Sequence, residues 1–568
     1  MPSFQEFGSE DTAMKNAIII HPGSLYIRIG RASDINPVTL LHAVATKRYT
    51  GGASHVDSLL PQVVLKNKDD LKEIEESRLQ VSRFLQSQNQ SSGRRRYVTP
   101  PQQIAAFNRR VSGQVLNASG GEWYQTDDTV VIGDEILNLD PQSDYNVHFP
   151  IRRGELNLHK GIGGSLMSVL ENLTTIWSYI IRFHLGIDAK DFKDFKCVLV
   201  IPDVFNRSHA RELMNLLLRS MKFGSCFLLQ DHVAATFGAG LSYACVVDVG
   251  HEKTSISCVE DGISLPNTRV KMGYGGADIT QTFHWLLQKC AFPYSECDPT
   301  KLRLDAYLMQ KLKHDFCHVH LDVCGCYEKT FVIRQPKKSV QRYTIQVGDE
   351  CIIAVLSVFH PELLGITGPK SVTTQTRTQS HFEDPLDAEY LRETSRRGTK
   401  ESLEGMTGET LPDSGSLTTQ ITGEDDLAVE TIAEGCSQQT TSTSEFLNAE
   451  NNHPVGLDVA IVRCIERYGN EEQRRKFYSS ILVIGGGIKF PGITEFLENK
   501  LSKLISPPHQ TEMVEVIMSS KEIDSENTAW KGAAIMATLE SAQELWIQAQ
   551  EWEKYGVKLL REKSVFIW

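Results

Sequence analysis

The chain has 568 residues, 40 % of them hydrophobic and 8 % aromatic, an ordinary globular composition with length for several structural units. Its most apolar stretch, residues 352–359, is far shorter than the roughly 20 residues of a spanning helix, so no membrane contact is expected. The polar N-terminus ahead of Ile18 argues against a secretory signal, and twelve cysteines without a CxxC pair predict a reducing compartment, nuclear or cytosolic.

The net charge of −12 is unevenly placed. Residues 366–452 hold 16 acidic and 6 basic side chains with 25 Ser/Thr, while the rest of the chain, with 53 basic and 55 acidic residues, is close to neutral. Too little apolar surface is available there to offset the entropy of ordering, which predicts a disordered, phosphorylatable insertion between two folded regions.

Residues 1–16 read as a flexible N-terminus. From Ala17 to Gly30 the pattern is strand, Pro22-Gly23-Ser24 turn, alternating strand. Residues 47–128 mix a charged stretch, a Gln/Ser-rich stretch, Arg94-Arg95-Arg96 and Pro100-Pro101, and read as a second insertion, partly helical. Compact patterning resumes at Val130. An amphipathic helix is expected over Leu166–His184, then a buried strand over Lys196–Ile201 halted by Pro202. A helix over Ala210–Lys222, a strand over Cys226–Leu229, a helix over Asp231–Gly240 and a strand over Tyr243–Asp248 follow. Alternation of this kind is an α/β signature.

Cys245–Gly262 repeats the design of Ile18–Arg31: apolar strand, glycine turn, alternating strand. A third glycine turn, Gly485-Gly486-Gly487, follows the apolar run Ile481–Ile484 and opens a helix over Thr494–Leu504. Two such hairpins and a late triple-glycine turn predict two similar α/β domains around a cleft. Glycines at those turns would let backbone N–H groups approach a phosphate.

In this order the segments resemble the actin fold, in the superfamily that includes heat-shock ATPases and sugar kinases. IIIHPGSLYIRIGRA and VVDVGHEKTSISCVEDG resemble its two phosphate hairpins, VLVIPDVFNRSHARELM its first connecting segment and VIGGGIKFPG its adenosine motif. AWKGAAIMATLESAQELWI resembles its second connection and closing helix. The resemblance divides the chain into a first lobe at 17–240, with the 47–128 insertion and a small outer subdomain region at 130–195, and a second lobe at 241–568 carrying the 366–452 insertion.

IHPGS, FPIRRGELN and the ending QELWIQAQEWEKYGVKLLREKSVFIW are similar to a nuclear branch of the actin-related proteins found in the INO-type chromatin-remodelling complex. That resemblance implies a nuclear, nucleotide-binding scaffold supporting transcription regulation, DNA repair and recombination. The implied partners are a remodelling ATPase with a long docking helix, nuclear actin and other actin-related proteins, and nucleosomes or linker DNA. An active ATPase or small-molecule kinase of the same fold, or a cytoskeletal relative, stays open. Insertion bulk and the acidic segment argue against filaments.

The implied cofactor is ATP or ADP, with magnesium undecided and no other metal. The implied nucleotide set is Gly23, Ser24, Leu25, Arg28, Asp248, Val249, Gly250, His251, Gly485, Gly486 and Gly487. Arg28 stands for a phosphate-facing lysine and His21 for a metal-associated aspartate. Glu252 is expected near a terminal phosphate, and Met309 and Gln310 near the nucleoside. Asp231, or Gln230 in a register one residue earlier, is the candidate for orienting an attacking water; Asp231 reads first as the cap of the following helix, and the two roles can coexist. Weak turnover at most is expected.

Arg94, Arg95, Arg96, Arg109 and Arg110 are candidates for DNA phosphates, and Arg474-Arg475-Lys476 reads first as a solvated helix face. The run from His314 to Cys326 has metal-ligand residue types without zinc-module spacing, and reads as a helix end with buried cysteines.

Overall fold

The computed structural model describes residues 16–64, 68–375, 443–448, 452–469, 471–505, 514–518 and 523–566. The N-terminal segment and most of the acidic insertion, on which the expectations of flexibility and disorder fall, lie outside these residues.

Two sheets carry the fold. In the first, the hairpin Ala17–Pro22/Tyr26–Arg31 is antiparallel, and Lys196–Ile201 runs parallel beside its first strand. Ser225–Gln230, Ile547–Gln548 and, on the far side, Val38–Leu41 complete it. The second sheet repeats that plan: Tyr243–Val249/Thr254–Glu260 is the antiparallel hairpin, and Ile481–Ile484 is its parallel neighbour. Ile18, Ile19 and Ile20, like Val246 and Val247, are fully buried. Continuous apolar runs are what strands covered on both faces require.

Helices Asp231–Ala239 and Thr528–Met536 cross between the sheets. Their backbones touch: a methyl group built at Gly532 would lie 1.7 Å from the Ala234 carbonyl oxygen, and one at Gly238 2.1 Å from the Thr528 carbonyl oxygen. Trp530, fully buried, extends from this crossing under the first hairpin and donates to the Ile19 carbonyl at 3.4 Å.

The amphipathic helix forms over Leu166–Leu185, starting at the Ser165 cap, whose Oγ accepts from Ser168 N at 3.2 Å, and ending at left-handed Gly186. The helix expected over Ala210–Lys222 is α-helical only over Arg207–Asn215 and widens into a π-type turn over Leu216–Ser220. The apolar run at 352–359 is core in the second lobe. Among the described residues no single helix is long and apolar enough to cross a membrane.

The ends of the 47–128 segment pack on the outer subdomain, Val56 bridging to Val147 and Tyr124 to Leu139, and its middle packs on the second lobe. Helix Lys68–Ser87 lies against Glu350–Leu356 and Pro361–Thr367. Strand Gln114–Ser119 adds itself to the hairpin Tyr327–Ile333/Ser339–Val347. Arg96 locks the arrangement. Its guanidinium, buried, donates to both Asp349 carboxylate oxygens at 2.8 and 2.6 Å and to the Leu321 and Val323 carbonyls. The sequence expectation that Arg96 meets DNA is therefore corrected: its donors are consumed inside the fold. Arg94, Arg95, Arg109 and Arg110 are exposed.

Removing one partner of a buried ion pair strands the other charge, at a cost of about 3–5 kcal/mol. Asp349→Ala is expected to lower unfolding stability by that order in urea titration, whereas Arg94→Ala should leave the midpoint unchanged.

Candidate nucleotide site

The two hairpins face each other across a cavity of about 430 Å³. Gly23, Ser24, Leu25 and Arg28 line one side, Asp248, Gly250 and His251 the opposite side, and Gly485, Gly486 and Gly487 the rim. The glycines are required by contact. Gly485 has φ +88° and a methyl group there would lie 2.4 Å from the Val249 carbonyl oxygen; at Gly487 it would lie 2.3 Å from that of Gly250. Val249 itself contributes backbone only: its carbonyl accepts from Gly487 N at 2.8 Å while its side chain is in the core.

The first turn is held from behind by His42, a residue the sequence reading passed over. His42 Nδ1 lies 2.7 Å from the Gly23 carbonyl, and Trp177 Nε1 donates to His42 Nε2 at 3.3 Å. A carbonyl on one side and an indole donor on the other fix the Nδ1–H tautomer. Burial holds this imidazole down to about 4, so it stays neutral.

The centre of the cleft is occupied by Lys253. Its ammonium donates to Asp231 Oδ2 at 2.8 Å, to Asp248 Oδ2 at 2.9 Å and to Ser255 Oγ at 3.2 Å, using all three protons. Burial opposes the charge of Lys253, but the two carboxylates outweigh it and raise the ammonium above its ordinary range. Burial likewise opposes ionisation of Asp231, and Lys253 reverses the balance, holding the carboxyl below its usual value. Glu526, the third acid of the cleft, pairs with Arg28 at 3.0 Å.

Several expectations change accordingly. Arg28 lines the cavity, but its guanidinium is committed to Glu526 and to Asn527 Oδ1 at 3.0 Å, so it is not a free phosphate-facing cation. Gln230 is fully buried and donates to the Asp203 carbonyl at 3.0 Å, away from the cleft. Asp231 is the residue at the cavity, and it is the first helical residue after Gln230, its Oδ1 accepting from His232 N at 2.9 Å. Glu252 turns outward to the Arg152 guanidinium and to Arg153 N, because that pairing compensates a carboxylate buried by the lobe. Met309 is core, whereas Gln310 lines the cavity with an unpartnered Oε1.

An adenine nucleotide fits the donors that remain. His21 presents a buried Nδ1 without a partner, and burial holds that ring neutral, down to about 3. Lys313, fully buried, places its Nζ 3.0 Å from the Gly276 carbonyl, beside Gly487, and Lys311 lines the same wall. A divalent cation fits poorly. Every acid lining this cleft among the described residues already has a cationic partner, and His21 stands where another carboxylate would be needed.

The remaining sequence candidates do not converge on this cleft. Arg475 pairs with Glu471 on its own helix at 3.0 Å and Arg474 donates to the Tyr468 carbonyl, a structural helix face. Between His314 and Cys326, His318 bonds Tyr327 Oη, Cys317 is buried and Cys324 accepts from Gln90.

Lys253→Met is expected to reverse the pH dependence of stability. In the native protein a depressed Asp231 stabilises at neutral pH, and that contribution is lost as pH falls through the carboxylate range. Without the ammonium, two facing carboxylates are raised instead, so the variant should be weakest at pH 7 and recover towards pH 5 in urea melts.

Comparison with known proteins gives a consistent answer. The family model for actin matches residues 12–565. Actin-related protein 8 of Aedes aegypti is 53 % identical over 98 % of this chain and 99 % of its own length. The human protein of that name is 37 % identical over 97 % of this chain and 92 % of its own. A solved structure of human actin-related protein Arp8 in its ATP-bound state superposes with a TM-score of 0.84 at 34 % identity, covering 100 % of both chains.

Proposed function

The chain belongs to the actin family, among the relatives named actin-related protein 8, and from that premise we propose that it is a nuclear scaffold subunit of a chromatin-remodelling complex. It binds ATP or ADP in the cleft between its lobes and holds the nucleotide as a structural ligand. The observation that carries this reading is Lys253. An ammonium clamped between Asp231 and Asp248 supplies the fixed positive charge of the cleft. It also occupies the carboxylate that a hydrolytic water would need for orientation. Magnesium is not required by such a site.

A ligand that binds only the folded state stabilises it by about 2.7 kcal/mol at a hundredfold excess over its dissociation constant. With contacts on both hairpins, that energy would act on closure of the two lobes. The docking partners are the remodelling ATPase, through a long helix, with nuclear actin and other actin-related proteins beside it. Nucleosomal or linker DNA meets the exposed Arg94, Arg95, Arg109 and Arg110, through phosphate contacts that weaken with salt. The protein acts as a monomer within that assembly, in support of transcription and DNA repair.

Purified from nuclear extract, the tagged protein is expected to bring down a large DNA-translocating ATPase and actin. In a single-turnover assay it should retain bound ATP. Recovery with cytoplasmic filament proteins, or sustained phosphate release above about 1 s⁻¹, the low end of ordinary enzyme turnover, would overturn the reading.

Lys313 gives the nucleotide contact a pH signature. Burial pulls its ammonium down to about 8, so the site loses a positive charge as pH rises through that value. One charge-assisted contact is worth roughly tenfold in affinity. ATP affinity measured by calorimetry should therefore fall by about that factor between pH 7 and 9, and should be flat in Lys313→Met.

A further inference from the structure

Outside the cleft, three imidazoles gather at the base of the small outer subdomain. His55 lies in the strap that follows Val44–Lys47, His148 ends the strand Tyr145–His148, and His159 sits in the loop before the long helix. The rings stack, His148 against His55 at 5.0 Å and His55 against His159 at 4.5 Å between centroids. One ring nitrogen of each lies within 4.8 Å of the other two.

Packing alone does not call for this gathering, and the chain is shaped to permit it. A methyl group at Gly163 would lie 2.3 Å from His148 Cε1, and one at Gly164 2.4 Å from His159 Nδ1. The backbone fixes all three segments: Val147 N donates to the His55 carbonyl at 3.0 Å, and His159 N to the Gly164 carbonyl at 3.0 Å. His55 Nε2 is 3.0 Å from Asp57 Oδ1, while Asp57 Oδ2 accepts from Phe149 N at 2.8 Å and from Asn157 Nδ2 at 3.2 Å. A carboxylate anchored by two donors and presenting its other oxygen to a histidine is how metal-bound imidazoles are oriented, with the opposite ring nitrogen left for the ion.

We propose that His55, His148 and His159 form a binding site for a zinc-class divalent cation, with Asp57 orienting His55. Three nitrogen ligands and a neighbouring carboxylate suit zinc, whose bonds to histidine are about 2.0–2.1 Å long. Ligand nitrogens of a tetrahedral ion stand about 3.4 Å apart at that bond length, so binding closes the present spacing and turns the rings out of their stack. The ion would clip the strap to the loop at 157–164. That strap continues to Leu59, whose carbonyl accepts from His251 at 3.2 Å, and to Pro61, whose carbonyl accepts from Gln281 at 2.7 Å. The clip therefore anchors the segment that reaches the second lobe.

The test uses tag-free, full-length protein stripped of metal. Zinc titrated in competition with a chromophoric chelator should bind at one ion per chain. His159→Ala, at a half-buried loop position, should weaken that binding at least tenfold, and Asp57→Asn by a smaller factor. Cobalt in place of zinc should give visible d–d bands without thiolate charge transfer. The last readout separates this site from the buried cluster Cys245, Cys258 and Cys464, whose sulfurs also lie together. Zinc affinity unchanged in His159→Ala with its melting temperature intact, or a thiolate band on cobalt, would overturn the assignment.

Discussion

Everything in this molecule is referred to one backbone contact, the crossing of helices Asp231–Ala239 and Thr528–Met536 at Gly238 and Gly532. No side chain larger than hydrogen can stand at either position without displacing a carbonyl. The crossing sets how near the two sheets approach, and the sheets carry the hairpins whose turns face across the cleft. Asp231 is the first residue of one crossing helix, and Glu526 and Asn527, which hold Arg28, immediately precede the other. Both acid–base pairs of the cleft are thus spaced by the same close approach. A few tenths of an ångström there would be felt at every distance in the site.

Inside that frame the electrostatics are closed. Lys253 answers Asp231 and Asp248, and Arg28 answers Glu526, so every acid lining the cleft among the described residues has a cationic partner. The polar atoms without partners, His21 Nδ1 and the acceptor Gln310 Oε1, are uncharged, and Lys313 is a buried cation whose attachment is a single carbonyl. In a hydrolytic site a metal and a free carboxylate or amide meet the attacking water; here the cleft's Asp231 carboxylate is bound by Lys253.

The strands and glycine turns were legible from sequence because their determinants are local. Apolar runs such as Ile18–Ile20 and Ile481–Ile484 admit few other structures, and a triple glycine before a helix leaves little choice of backbone. Residues whose role depends on a partner far away in sequence were not legible. Lys253 lies next to Glu252, and nothing local says that one turns into the cleft and the other out. Both lie in the turn ahead of the strand Thr254–Glu260, and which of them faces the cleft depends on Asp231 and Arg152, roughly 20 and 100 positions off. Arg96 looked like its neighbours Arg94 and Arg95 until Asp349 was brought to it. His42 gave no signal at all, since its partners are a carbonyl and an indole on separate elements.

The edge strand Ile547–Gln548 joins the first sheet at Ser225 and Cys226, although the rest of that sheet is finished in sequence by Gln230. During synthesis the first lobe must therefore wait, with one sheet edge unpaired, until the entire second lobe has been made. The segment at 114–119 waits in the same way for residues 339–347. Reciprocal pairing of this kind gives a high contact order and a long interval in which unsatisfied strand edges are exposed. The first sheet is therefore complete only when residues 547–548, far along the chain, have been made.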